Sequence, residues 1–166
     1  IVALVFGSAL ALRILAMALA FDPATAFEKF PLLAQRLIAD GWVAHEPFGC
    51  SPAYIYFLAF LIRAGAPAAG LCIAQVVLGA LTCVLIRDLA RRLFGPVEAA
   101  VAGALAAAFG PFLIFSIEFE SDGLGLFLYC AAATALVAAL DRPAAWRFAA
   151  AGLLLGLRAT QRPAAL

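Results

Sequence analysis

The sequence predicts an all-α protein, a polytopic transmembrane helix bundle of about five spans with two short helices at the membrane surface. Three observations predict it. The 166 residues are 67% hydrophobic and 13% charged, whereas soluble domains run about 45–50% apolar and about 25% charged. Mean hydropathy is +1.09, more apolar surface than a water-soluble fold of this size can bury. The charges also cluster, because residues 64–86, 99–117 and 123–140 contain none. Each of these runs approaches the length of about 20 residues that crosses a hydrocarbon core of about 30 Å. A soluble globule, a disordered chain and a disulfide-stapled secreted module are thereby excluded. A net charge of +1 supplies no basic field for a nucleic-acid partner.

The first span covers about residues 1–20 and is interrupted only by Arg13. The chain starts at Ile1 rather than Met, and Leu166 lies in an apolar stretch, so we expect a fragment of a longer membrane protein. A first loop follows over 21–68. Within it, Pro31 suits the first turn of a helix and Gly41 the position after its end. Leu33, Leu37 and Ile38 fall on one side, and Gln35, Arg36 and Asp40 on the other, the pattern of a short amphipathic membrane-surface helix. The stretch Pro52–Ala66, with Tyr54 and Tyr56, reaches only about 22 Å as a helix. Its length and tyrosines predict an interfacial helix.

The remaining spans are expected at about 69–90, 97–118, 122–140 and 148–166. Tight turns separate some of them, at Phe94-Gly-Pro96 and Asp141-Arg-Pro143. Pro111 after Gly110 predicts a kink in the third span. The pairs Gly103/Ala107 and Gly152/Gly156 have the spacing that lets two helices approach closely. The four cysteines form no C-x-x-C pair, and three of them read as small hydrophobes inside apolar runs.

Charge alone leaves the topology open. If 52–66 spans, Lys29, Arg36, Arg87, Arg91, Arg92, Arg142 and Arg147 share one side against Arg63. If it does not, Lys29, Arg36 and Arg63 face the five other arginines. The first split fits the positive-inside rule better. Only the second brings the two acidic segments to one membrane face.

Seven of the ten carboxylates lie in those two segments: Asp22, Glu28, Asp40 and Glu46 in the first loop, and Glu118, Glu120 and Asp122 between two spans. Clustered carboxylates raise one another's pKa and suit a metal, a basic partner or proton transfer. The only histidine, His45, sits in an aromatic and proline-rich loop. Arg158 and Arg162 share a helix face at i, i+4. Arginine within a span is costly and marks a site by default, and two guanidiniums on one face suit a phosphate or pyrophosphate. Interfacial anchoring, solvated loop charge and snorkelling are the plain alternatives for each residue. A transporter with an intramembrane Arg/Asp pathway and a non-catalytic membrane scaffold are the alternative functions.

The order of motifs resembles the N-terminal part of the GT-C glycosyltransferases, in particular the family-39-like enzymes that include protein mannosyltransferases and aminoarabinose transferases. The matching pieces are Phe27 to Gly41, Ser51-Pro-Ala-Tyr-Ile-Tyr-Phe-Leu58, Gln75-Val-Val-Leu-Gly-Ala-Leu-Thr82 and Ala90-Arg-Arg-Leu-Phe-Gly95. They continue in Asp122-Gly-Leu-Gly-Leu-Phe-Leu-Tyr129 and in Gly152-Leu-Leu-Leu-Gly-Leu-Arg-Ala-Thr-Gln-Arg-Pro163. The resemblance implies that both acidic segments face the extracytoplasmic side, with 52–66 at the membrane surface and the N-terminus inside.

It also implies sugar transfer from a polyprenyl-phosphate donor to a lipid, glycan or protein hydroxyl by direct displacement. The family's first-loop aspartate falls at about Ala26, so its role as base passes to Glu28 or Asp22. Asp122 is expected as a second carboxylate that orients the acceptor or a metal. Arg158 and Arg162 are expected as phosphate ligands. His45 lies near the donor, with Tyr54 and Glu120 also in the substrate site. Some members of the family use a divalent metal. The implied partners are therefore the lipid-linked sugar, the acceptor and the bilayer, with no nucleic acid. The expected setting is an inner or plasma membrane of bacterial type.

Overall fold

The structure, a computed structural model, describes residues 2–20, 29–43, 51–117 and 120–161. The described residues form eight helices and no strand: α1 (Val2–Ala20), α2 (Phe30–Ala39), α3 (Pro52–Arg63), α4 (Ala68–Leu93), α5 (Pro96–Ala108), α6 (Gly110–Ile117), α7 (Ser121–Asp141) and α8 (Ala145–Ala159). Backbone polar groups have no water to bond in hydrocarbon, so an all-helical chain is the expected answer to this composition. α1, α4 and α7 are long and apolar enough to cross a membrane, and α5 with α6 is apolar enough to form a broken span or a re-entrant loop. α4, with 26 residues, reaches about 39 Å. It is the central element, with α1, α5, α6 and α7 all packed against it.

The outward faces stay apolar. Leu4 is 74% exposed and Leu19 79%, as suits helices whose solvent is lipid. The break between α5 and α6 falls at Phe109, where the backbone turns extended and the two axes bend by 57°. Pro111 sits in the first turn of α6, where its missing N–H costs nothing, whereas a continuous helix would clash with its ring. The predicted kink is thus a full break.

Packing between the spans depends on small residues, though not on every pair the spacing predicts. Gly103 and Ala107 are buried, and a Cβ on Gly103 would lie 3.0 Å from Arg87 Cβ and 3.2 Å from the Val5 methyls. That glycine lets α5 seat between α1 and α4. Gly152 and Gly156 are different. Both are exposed, and nothing lies within 4 Å of a Cβ placed on either. Their face of α8 points away from the described bundle, so the helix contact expected there is not made among the described residues.

α2 and α3 pack together across one end of the bundle. α2 begins with Pro31 in its first turn and buries Phe30, Pro31, Ala34 and Leu37, leaving Gln35, Arg36 and Asp40 exposed. It ends in a Schellman turn. The N–H of Trp42 bonds the Leu37 carbonyl at 2.9 Å and that of Gly41 the Ile38 carbonyl at 3.3 Å. Gly41 takes φ +71° there, a value that glycine adopts without strain. Gly65, at φ +83°, closes α3 in the same way. α3 is 12 residues long, about 18 Å, too short to cross the hydrocarbon core. Its buried Tyr54, Ile55, Leu58 and Ala59 join a core that also holds Leu71 and Cys72 of α4 and Leu124 and Leu128 of α7. Met17 of α1 and Leu154 of α8 pack against that core. The C-terminal ends of α1 and α8 and the N-terminal ends of α4 and α7 therefore meet under the α2–α3 pair.

One buried charge ties the spans together. Arg13 is 0% exposed and donates from Nε to Ser116 Oγ of α6 at 3.0 Å, and from its terminal nitrogens to the Ala9 carbonyl at 3.0 Å and Cys83 Sγ of α4 at 3.4 Å. Among the described residues these acceptors are all neutral. The arginine of the first span therefore joins α1, α4 and α6, and it belongs to the packing of the bundle.

Candidate active site

The end of the bundle beneath α2 and α3 brings together polar side chains from α3, α4, α7 and α8. α7 starts there. Glu120 occupies its N-cap position and Asp122 its first turn. The positive end of the helix dipole favours a carboxylate in that turn. Asp122 is half-buried. One turn further along, Gly125 is buried, and a Cβ on it would stand 3.5 Å from both Cζ and Nε of Arg158. The Arg158 guanidinium, from the last turn of α8, thus lies over the face of α7 that carries Asp122 at i−3. A carboxylate and a guanidinium from different helices share this corner, which the sequence separates by 36 positions.

A second link runs from α8 to α3. The Ser51 hydroxyl, immediately before α3, donates to the backbone carbonyl of Gln161. Gln161 itself is 3% exposed, and among the described residues its side-chain Nε2 and Oε1 have no hydrogen-bond partner. An unpaired buried amide is costly, by about 1–3 kcal/mol for each lost bond. One polar group from outside the described residues would offset that cost, whether ligand or chain. Gln161 follows α8 closely, its N–H bonding the Arg158 carbonyl at 3.1 Å.

The third link is Tyr54, 1% exposed, whose phenol donates to Gln75 Oε1 on α4. Its ring meets Phe30 edge-on at a centroid distance of 5.0 Å, which locks α2 to α3. Burial pushes the Tyr54 phenol well above the ordinary tyrosine range, and the negative charge of Glu120 adds to it. The phenol is therefore a neutral hydrogen-bond donor at any physiological pH. The effect of Glu120 also shows that the start of α7 and the start of α3 belong to one electrostatic neighbourhood.

Of the residues singled out from sequence, the structure brings Tyr54, Glu120, Asp122 and Arg158 to one end of the bundle. Asp22, Glu28, His45 and Arg162 lie outside the described residues. Among the described residues no three His, Cys, Asp or Glu side chains gather as a metal site would require. Ser51, Gln75 and Gln161 enter the sequence reading only as members of the family-like motifs, with no site role. Gln75 had a legible signal, being the only amide in the uncharged run 64–86. Ser51 had none, because a serine before a proline reads as an ordinary helix start.

No curated protein and no solved structure matches the chain. The family model of dolichyl-phosphate-mannose-protein mannosyltransferases matches residues 46–164, most of the chain. That match takes in Ser51, Tyr54, Gln75, Asp122, Arg158 and Gln161, together with helices α3 to α8. With the helical membrane bundle, it establishes that the chain belongs to the dolichyl-phosphate-mannose-protein mannosyltransferase family, membrane glycosyltransferases of the GT-C type.

Proposed function

We propose that the protein transfers a sugar from a polyprenyl-phosphate donor to a hydroxyl acceptor on the extracytoplasmic face, by carboxylate-assisted direct displacement. The observation that carries this reading is the Asp122–Arg158 corner. The Arg158 guanidinium lies against Gly125, one turn along α7 from Asp122, and close in the chain to the buried Gln161, whose amide has no partner among the described residues. Transfer to a hydroxyl needs a base or orienting group for the acceptor and a cation for the departing phosphate.

In the reaction, the acceptor hydroxyl loses its proton to a carboxylate as its oxygen attacks the anomeric carbon. The bond from that carbon to the lipid phosphate oxygen breaks, and the electron pair leaves with the phosphate. Glu28 or Asp22 serves as the base, and Asp122 orients the acceptor. Arg158 and Arg162 hold the phosphate, two of whose oxygens can be met by the planar fork of a guanidinium. His45, Tyr54 and Glu120 complete the substrate surroundings. Tyr54 contributes a neutral donor and an apolar wall, and Glu120 a negative field at the mouth.

The test uses the natural full-length chain in membranes with a polyprenyl-phosphate sugar and a hydroxyl acceptor. Asp122→Asn keeps the size but removes the charge and turns one acceptor oxygen into a donor. It is expected to abolish transfer, while the variant still inserts and accumulates. Near-wild-type transfer by that variant removes Asp122 from the site. Glu28→Gln and Asp22→Asn, made separately, identify the base as the one whose loss stops turnover while donor binding persists.

A further inference from the structure

The opposite end of the bundle holds a second polar feature, which glycosyl transfer does not use. A cavity of about 710 Å³ opens between the C-terminal ends of α4 and α7 and the start of α8, lined by Arg92, Asp141, Arg142, Trp146 and Arg147 over a floor of three alanines. Its volume lies within the range of about 300–1,000 Å³ typical of small-ligand sites. Its charge is unbalanced. Arg92 pairs with Asp141 at 2.7 Å, which consumes the single carboxylate of the lining. Arg147 donates from one terminal nitrogen to the Arg142 carbonyl at 3.1 Å, and its guanidinium lies 5.2 Å from the Trp146 ring centroid. That fixes the group while leaving its other N–H edges available. The described residues place no carboxylate on Arg142 or Arg147. Two guanidiniums therefore face the cavity without a counter-charge.

The surroundings are those of an amphiphile. Trp146 is 68% exposed, at the start of α8 and five residues beyond the end of the spanning helix α7, a position where tryptophan settles into the headgroup layer. Leu93, Leu140 and Phe148, neighbours in sequence of Arg92, Asp141 and Arg147, are all exposed. An apolar chain can thus run along the bundle from a headgroup held in the cavity. Guanidiniums bind phosphate oxygens in pairs, and basic pockets between spanning helices suit anionic headgroups. We propose that this cavity binds the phosphate headgroup of an anionic phospholipid, at the end of the bundle remote from the Asp122–Arg158 corner. The alanine floor is what admits the headgroup, because larger side chains on α7 and α8 would fill the space.

Native mass spectrometry of the full-length chain tests this, in mixed micelles holding phosphatidylglycerol and phosphatidylcholine in equal amounts. The expected result is retention of phosphatidylglycerol in preference to phosphatidylcholine. Arg142 makes no side-chain bond within the described fold, so Arg142→Gln leaves the packing intact. It is expected to weaken retention about fivefold, the effect of one charge near a membrane surface, and Arg142→Glu to abolish the preference. Arg147→Lys keeps the charge but loses the fork, and is expected to weaken retention less than Arg142→Glu. Arg36→Gln, at the other end of the protein, is expected to change nothing. Equal retention of the two lipids, or full retention by Arg142→Glu, overturns the proposal. Displacement of the lipid by an equal concentration of glycerol phosphate also overturns it, because the ligand is then a soluble phosphate.

Discussion

Gly79 on α4 is the position where the smallest change should do the most damage. A Cβ there would stand 2.3 Å from Ser116 Oγ and 2.6 Å from Arg13 Nε, both far inside contact distance. Those two atoms are bonded to each other at 3.0 Å, so Gly79→Ala forces the bond itself to move. Two relaxations are open. The helices can shift to make room, which costs about 1–3 kcal/mol as overpacking does. Alternatively, Arg13 and Ser116 can part, leaving a buried guanidinium N–H without a partner, also at about 1–3 kcal/mol. The chain takes the cheaper, so Gly79→Ala is expected to destabilise the protein by about 1–3 kcal/mol. Ser116→Ala alone orphans the same N–H and has a similar cost. Together the two changes should cost little more than Ser116→Ala by itself, since the freed Arg13 can move off the new methyl. A double-mutant cycle read by denaturant unfolding in detergent measures this. A coupling of about 1 kcal/mol or more is expected, well outside the about 0.3–0.5 kcal/mol scatter of independent sites. Additive effects, or a Gly79→Ala protein as stable as the parent, would refute the role given to this contact.

Other outcomes follow from the same geometry. Gly125→Ala places its methyl at ordinary contact distance from Arg158 and should leave transfer largely intact. Gly125→Leu should displace the guanidinium and reduce turnover at least tenfold, about 1.4 kcal/mol of transition-state stabilisation, with the protein still accumulating. Tyr54→Phe removes a buried donor from Gln75 and should cost about 1–2 kcal/mol. Tyr54 also sets a pH dependence. Its phenol is raised above the ordinary value, so the folded state keeps a proton that the unfolded chain releases. That stability is complete below about pH 10, the ordinary tyrosine pKa, and is lost as pH rises above it. Alkaline unfolding in Tyr54→Phe should therefore show a shallower decline than in the parent, and an identical slope would contradict the assignment.

Much of the fold was legible because membranes enforce simple rules. Uncharged runs of about span length correspond to α4, to the α5–α6 pair and to α7. Pro31, Gly41 and Gly95 mark ends that the structure keeps. Apolar composition could not tell which face of a helix meets protein and which meets lipid, because both are lined with Ala and Leu. That is why Gly103/Ala107 packs and Gly152/Gly156 does not, with the same spacing. Arg13 and Arg158 looked alike in sequence, each an arginine inside or near a span. Their neighbours separate them. Arg13 finds three acceptors and vanishes into the packing, while Arg158 lies over Gly125 beside a carboxylate.

The sequence alone determined that this protein is a helical membrane bundle, where its charged exceptions fall along the chain, and which family its motifs resemble. These are properties of composition and local order, set by the cost of exposing backbone or charge to hydrocarbon. Only the tertiary structure decided which exceptions meet. Asp122 and Arg158, Ser51 and Gln161, Tyr54 and Gln75 are pairs drawn from different helices, and nothing in one-dimensional spacing fixes how helices turn and pack against one another. That geometry depends on where small residues let backbones approach, and it alone assembles a polar corner inside an apolar molecule.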